Sequence, residues 1–255
     1  MTTTSPILVT GGTGTLGSHA VPLLRDAGHE VRVLSRHGRA AENGVSYVAA
    51  DLLKGEGIEA ALEGVETVLH LAGGPKGDDE ATRNLVRAAS RAGVRHLVYI
   101  SVIGADRLPV KWLQSKLAAE QAVSESGIPW TTLRAAQFHD LTLKMVRGMA
   151  KLPVVPVPGG LRLEPVDSRE VAARLVELTL GEAAGLVPDI AGPRVYDMAE
   201  LIRGYLKVSG KRRPKLPVRL PGKTGRAYRA GENLALEGSL TGKLTWEDFL
   251  AEHAG

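Results

Sequence analysis

Apolar residues along the chain come in short runs separated by amphipathic stretches, and the alternation repeats. Ile7-Leu8-Val9 is a run that passes through Thr10 into Gly11, Gly12, Gly14 and Gly17. Leu16, Ala20, Leu23, Leu24 and Ala27 then recur at helical spacing, with Gly28 placed to stop the helix. The order is buried strand, tight turn, helix. Pro22 removes a hydrogen bond from that helix and predicts a bend in it. The pattern continues with strands over 30–34, 45–50 and 67–71, a short helix over 57–63, and an amphipathic helix over 78–92 capped by Gly93. A fifth strand over 96–100 carries Ser101 at its carboxyl end.

Five strands separated largely by helices predict right-handed β-α-β crossovers and a doubly wound parallel sheet, an α/β fold. A long helix over 109–126, a strand over 130–134 and a helix opening over 135–139 extend the winding. Between 151 and 165 proline and glycine become dense, which sets a soft boundary between a dinucleotide-binding part, 1–150, and a smaller carboxyl-terminal part, 151–255, interleaved with it. Downstream the pattern predicts a helix capped by Asp167 and Ser168 and running to Leu180, one strand over 186–191, and helices over 197–208 and 245–253.

Ligands of such sheets bind beyond the carboxyl ends of the strands. Gly11, Arg36, Asp51, Ala72 and Ser101 all fall there. At the first end, the spacing Gly11-x-x-Gly14-x-x-Gly17 supplies positive φ, close backbone approach and close helix packing, and the new helix presents free N–H groups to an anion. A pyrophosphate is the simplest such anion. At the second end, an acidic residue would bind the 2′-hydroxyl of NAD. Ser35, Arg36 and Arg39 stand there instead, which suits a 2′-phosphate and favours NADP over NAD. Small residues at the fourth end, Ala72, Gly73, Gly74 and Pro75, allow the backbone to approach the centre of a cofactor. His70, inside its strand, is read as structural.

Composition narrows this further. A chain of 255 residues that is 44% hydrophobic can bury a full core. With Cys 0, it has no disulfide framework and no thiolate chemistry, and a reducing cytoplasm is the expected location. The polar segment 1–6 does not read as a secretory signal, and no apolar run nears the ~20 residues of a membrane span. The formal charge of +4 is uneven, because the stretch from Arg203 to Arg229 holds ten Lys or Arg and no Asp or Glu. That stretch is expected to be a solvated surface or an anion-binding face, with no nucleic acid implied. No metal-ligand spacing is evident.

The motifs Thr10-Gly-Gly-Thr-Gly-Thr-Leu-Gly17, Asp51-Leu52, His70-Leu-Ala-Gly73, Ser101, Lys116-x-x-x-Glu120 and Leu133-Arg134-Ala135-x-x-Phe138, taken in order, resemble the short-chain dehydrogenase/reductase superfamily in its atypical NmrA-like branch. The resemblance implies a Rossmann domain with a small carboxyl-terminal portion over the nicotinamide end. It also implies residue roles. Gly11, Thr13, Gly14, Thr15, Leu16 and Gly17 would hold the pyrophosphate, Arg36 the 2′-phosphate, Asp51 and Leu52 the adenine, and Lys116 the nicotinamide ribose. The superfamily's usual acid, a tyrosine four residues before the lysine, is replaced here by Trp112, whose indole is no proton donor near neutral pH.

Two readings follow. One is an NADPH-dependent reductase of a small carbonyl, quinone or enone compound in which Lys116, with a depressed pKa, or His139 supplies the proton, with Ser101 beside them. The other is a protein that binds NADP without turnover and acts as a redox sensor. Oligomeric state stays open between monomer and dimer.

Overall fold

The computed structural model describes residues 5–74 and 76–253. The expectations for residues 1–4 and for Pro75 lie outside those residues. In chain order, β1 (Ile7–Thr10) turns into α1 (Gly17–Asp26), followed by β2 (Val31–Ser35), β3 (Val45–Ala49), α2 (Ile58–Leu62), β4 (Thr67–His70), α3 (Asp78–Ala92) and β5 (His96–Val102). Next come α4 (Lys111–Ser124), β6 (Trp130–Ala135), α5 (His139–Met149), β7 (Val155–Gly159), β8 (Arg162–Leu163) and α6 (Ser168–Leu180). The chain closes with β9 (Gly185–Leu186), β10 (Ile190–Ala191), β11 (Tyr196–Asp197), α7 (Met198–Val208), β12 (Lys215–Arg219), α8 (Gly222–Ala230), β13 (Leu240–Thr241) and α9 (Trp246–His253).

The chain divides into two compact units that interleave in sequence. The first comprises Met1–Ser101, Gln114–Leu133 and Val171–Val187, and the second Val102–Leu113, Arg134–Glu170 and Pro188–Gly255.

In the first unit the strands run in the order β5-β4-β1-β2-β3, with parallel pairing and with Thr10 level with Leu34 and His70, and His70 level with Tyr99. This is the parallel, Rossmann-like sheet that the strand-helix alternation predicts. The strands are nearly continuous apolar runs because helices cover both faces. A core of Leu8, Ile58, Leu62, Val68, Leu85, Leu97 and Tyr99 fills one side. α1 continues through Pro22. Ser101 is not past the end of β5 but inside it, and it is buried.

The second unit has its own core around Trp246, Phe249, Tyr196, Leu201 and Ile202. Asp197 and Glu200 form a reciprocal capping box at the start of α7, and Asp167 Oδ1 accepts the Arg169 N–H at the start of α6. One reading of this half needs correction, and two stretches hold elements that the periodicity does not mark. The single strand expected over 186–191 is two short ones: β9 pairs with Thr131–Thr132, and β10 with Ala135 and with β13. Pro188, which has no N–H to donate, lies in the interruption. The proline- and glycine-dense segment 151–165 holds β7 and β8. The basic stretch holds β12, which runs parallel to β7, and α8 after it. Its prolines and charges hid both elements from a periodicity reading.

Candidate functional site

The glycine turn is built by overlap of backbone with backbone. Gly11 has φ +68°, and a Cβ there would stand 2.7 Å from the Ala72 nitrogen. A Cβ on Gly17 would fall onto the Gly11 carbonyl and the Gly12 Cα. Thr13, Gly14 and Thr15 are exposed, while Leu16 is buried beneath them. The first turn of α1 has neither an acidic residue nor a side-chain cap, so its positive end faces outward uncompensated.

The turn is tied to the end of β4. Thr10 Oγ1 accepts the Ala72 N–H at 3.1 Å and lies 2.6 Å from His70 Nδ1, and His70 Nε2 lies 3.0 Å from Thr82 Oγ1. Both nitrogens of His70 are thus engaged. Burial, and secondarily the Lys116 charge, lower its pKa to about 3. The unfolded chain therefore binds this proton more tightly than the folded one. The stability His70 contributes is complete above about pH 6.5 and is lost as pH falls toward about 3, at up to about 1.4 kcal/mol per pH unit. We expect urea unfolding at pH 7.5, 6.0 and 4.5 to show this decline, and His70→Gln to flatten it. An equal slope in the variant would refute the assignment.

At the other strand ends, Arg36 is exposed just past β2 and Ser35 is half-buried. The Arg39 guanidinium stacks 4.5 Å over Tyr47. Asp51 Oδ1 accepts the N–H groups of Leu53 and Lys54 at 2.9 and 3.2 Å, and Leu52 is buried. Asn84 of α3 donates to the carbonyls of Leu52 and Leu53 and so holds this turn from outside.

Lys116 is buried, and its Nζ lies 2.7 Å from Asp78 Oδ2. It also donates to the Tyr99 hydroxyl at 3.3 Å and the Ile100 carbonyl at 3.4 Å. The ammonium is thus held by one close ion pair and two long hydrogen bonds. Asp78 Oδ1 in turn accepts the Gly74 N–H at 3.0 Å, and a Cβ on Gly73 would sit 3.1 Å from Nζ. The loop Ala72–Gly74 and Lys116 therefore form one assembly with Asp78 at its centre. Burial, and secondarily the Asp78 and Glu120 charges, push the Tyr99 phenol well above its ordinary value. Ser101 Oγ is buried without a hydrogen-bond partner among the described residues.

Sequence reasoning missed Asp78 and Tyr99. Asp78 opens α3 within the acidic trio Asp78-Asp79-Glu80, which by itself reads as ordinary compensation of a helix dipole. His139 does not join this assembly. It is fully buried in the second unit's core, with ring centroids 5.1 Å from Phe249 and 5.9 Å from Trp246, and burial lowers its pKa against the pull of Asp167 and Asp140. Such a ring has no exposed face from which to pass a proton.

The second unit has a cleft of its own, walled by Leu108, Trp112 and Leu163, with Gln137, Glu164 and Tyr228 among its polar groups. Among the described residues no cluster of His, Asp and Glu could hold a metal, and no helix is long and apolar enough to cross a membrane.

Residues 11–177 match a family of NAD(P)H-binding proteins. The chain belongs to that family. As an NAD(P)H-binding protein it is similar to a (4-alkanoyl-5-oxo-2,5-dihydrofuran-3-yl)methyl phosphate reductase of Streptomyces griseus, with 32% identity over 80% of this chain and 74% of that one. It is likewise similar to an NAD(P)H azoreductase of Xenophilus azovorans, with 31% identity over 80% and 74%. Its fold matches that of an NADPH-dependent quinone oxidoreductase of Escherichia coli solved with NADPH, with a TM-score of 0.78 and 21% identity over 96% of this chain and 99% of that one. The relatives place this NAD(P)H-binding protein in a family of oxidoreductases.

Proposed function

We propose that the protein is an NADPH-dependent reductase of a small carbonyl, quinone or enone compound, of the atypical short-chain, NmrA-like type. The observation that carries this reading is the shared carboxyl edge of β1, β2 and β4. There a turn that tolerates no side chain at Gly11 or Gly17, an exposed arginine and a small-residue loop braced by Lys116 and Asp78 follow three strands whose ends are in register.

The residues suit the cofactor. The exposed backbone of Thr13, Gly14 and Thr15 would bind pyrophosphate, and Ser35, Arg36 and Arg39 the 2′-phosphate. Asp51 and Leu52 would border the adenine. Ala72, Gly73 and Gly74 would lie along the middle of the cofactor, and Lys116 near the ribose. When bound, the cofactor supplies hydride. The chain's own contribution is to position it: Asp78 holds Lys116 and Gly74 in place, and the bonds from Lys116 to Tyr99 and Ile100 are long enough to yield to a ribose hydroxyl. With His139 enclosed and Trp112 where the superfamily has tyrosine, the reducing proton is assigned to Lys116 or to solvent.

The engagement of Lys116 by Asp78, Tyr99 and Ile100 within the protein also favours a second reading, an NADP-binding redox sensor without turnover. One experiment separates the two. Protein mixed with NADPH or NADH and a panel of quinones, aldehydes and enones is followed by absorbance, alongside calorimetric binding. We expect NADPH oxidation above background, and expect Arg36→Ala to weaken NADPH binding about tenfold or more while sparing NADH. Tight binding with no oxidation across the panel would leave the sensor reading. Equal losses for the two cofactors in the variant would refute the 2′-phosphate role.

A further inference from the structure

The cleft of the second unit contains a carboxylate that has no cationic partner. Glu164 follows β8, and its Oε2 accepts the Ala235 N–H at 3.2 Å. Among the described residues that is the carboxylate's one hydrogen bond, and no Lys, Arg or His lies within ion-pair distance of it. No Lys, Arg or His lines the cleft either. Burial raises the Glu164 carboxyl above its ordinary value, opposed by the Ala235 N–H alone. The rest of the lining is largely apolar and includes Trp112, which is 37% exposed.

Each feature bears on the charge of a ligand. A partly desolvated carboxylate regains lost solvation when a cation approaches and repels an anion. The face of an indole is the negative side of its quadrupole, and it likewise attracts a cation. A neutral apolar ring gains the apolar walls alone, while a phosphate or carboxylate would meet a like charge with nothing to compensate it.

We propose that this cleft binds a flat, apolar ligand that is positively charged or neutral, and that Glu164 is the residue that disfavours anionic ones. The inference rests on the reductase reading only in making that ligand the electron acceptor; the binding preference stands without it.

The test is therefore equilibrium dialysis, which needs no turnover. Three 1,4-naphthoquinones differing in one substituent, trimethylammoniomethyl, methyl or carboxymethyl, are compared on the full chain and on Glu164→Gln. The variant keeps an oxygen for the Ala235 N–H, and its melting temperature checks that it folds. We expect the native chain to bind the cation about tenfold or more tightly than the anion, with the neutral compound between. In Glu164→Gln the spread should shrink below about threefold while the neutral compound binds as before. Absence of any binding, no charge dependence in the native chain, or a spread that survives in the folded variant would each overturn the proposal. Charge-dependent binding that vanishes in the variant, without NADPH oxidation by any of the three, would uphold it and count against the reductase reading instead.

Discussion

Gly17→Ala is expected to cost about 3 kcal/mol of unfolding free energy and to weaken NADP(H) binding by about a hundredfold or more. The added methyl would occupy the space of the Gly11 carbonyl and the Gly12 Cα, which are backbone atoms with no rotamer to move aside. Relief requires the Gly11–Leu16 turn to lift from α1, and that turn is the proposed pyrophosphate cradle. Gly28→Ala is the control. A Cβ there meets nothing within 4 Å, but its φ of +87° remains unfavourable, so it should cost about 1 kcal/mol and leave binding intact. Urea denaturation and calorimetry on both variants read the two effects. A Gly17→Ala protein with native affinity would show that the turn does not hold the cofactor.

Lys116→Met is expected to cost about 3–5 kcal/mol, because it leaves the Asp78 carboxylate buried and unpaired. Removing both charges in Lys116→Met with Asp78→Asn should recover most of that loss, since a neutral amide can still accept the Gly74 N–H. NADPH oxidation should stay lost in the double variant. The cycle thus separates holding the fold from serving the site. If oxidation returned with stability, Lys116 would be an internal brace and nothing more.

Much of this was legible along the chain. The strands β1 to β5 begin and end within a residue or two of the positions that periodicity marks, and the 78–92 helix is matched at both ends. Periodicity works there because a parallel sheet covered on both faces writes its strands as apolar runs. It fails in the second unit, where β7 and β12 carry Pro156, Pro158 and Pro217 and where Lys215 and Arg219 flank an exposed strand. Those strands pair with each other; β7 buries only Val155 and Val157, with a proline after each, and β12 lies almost wholly exposed, so neither writes a recognisable apolar run.

The site divides in the same way. Gly11 and Gly17 could be singled out from sequence because a tight turn into a helix constrains neighbouring residues, and Arg36 because its place follows from counting strand ends. Nothing local told His139 from an accessible helix-start histidine. Its enclosure depends on Trp246 and Phe249, which come from the far end of the chain. By itself, the sequence determined the winding order and, Ser101 apart, the residues at the carboxyl edge, since both arise from short-range periodicity and backbone conformation. Only the tertiary structure decided that Asp78 and Tyr99 close around Lys116 and that Glu164 faces an apolar cleft without a cation. Those meetings depend on how separate helices and strands pack, and packing leaves no periodic trace in the chain.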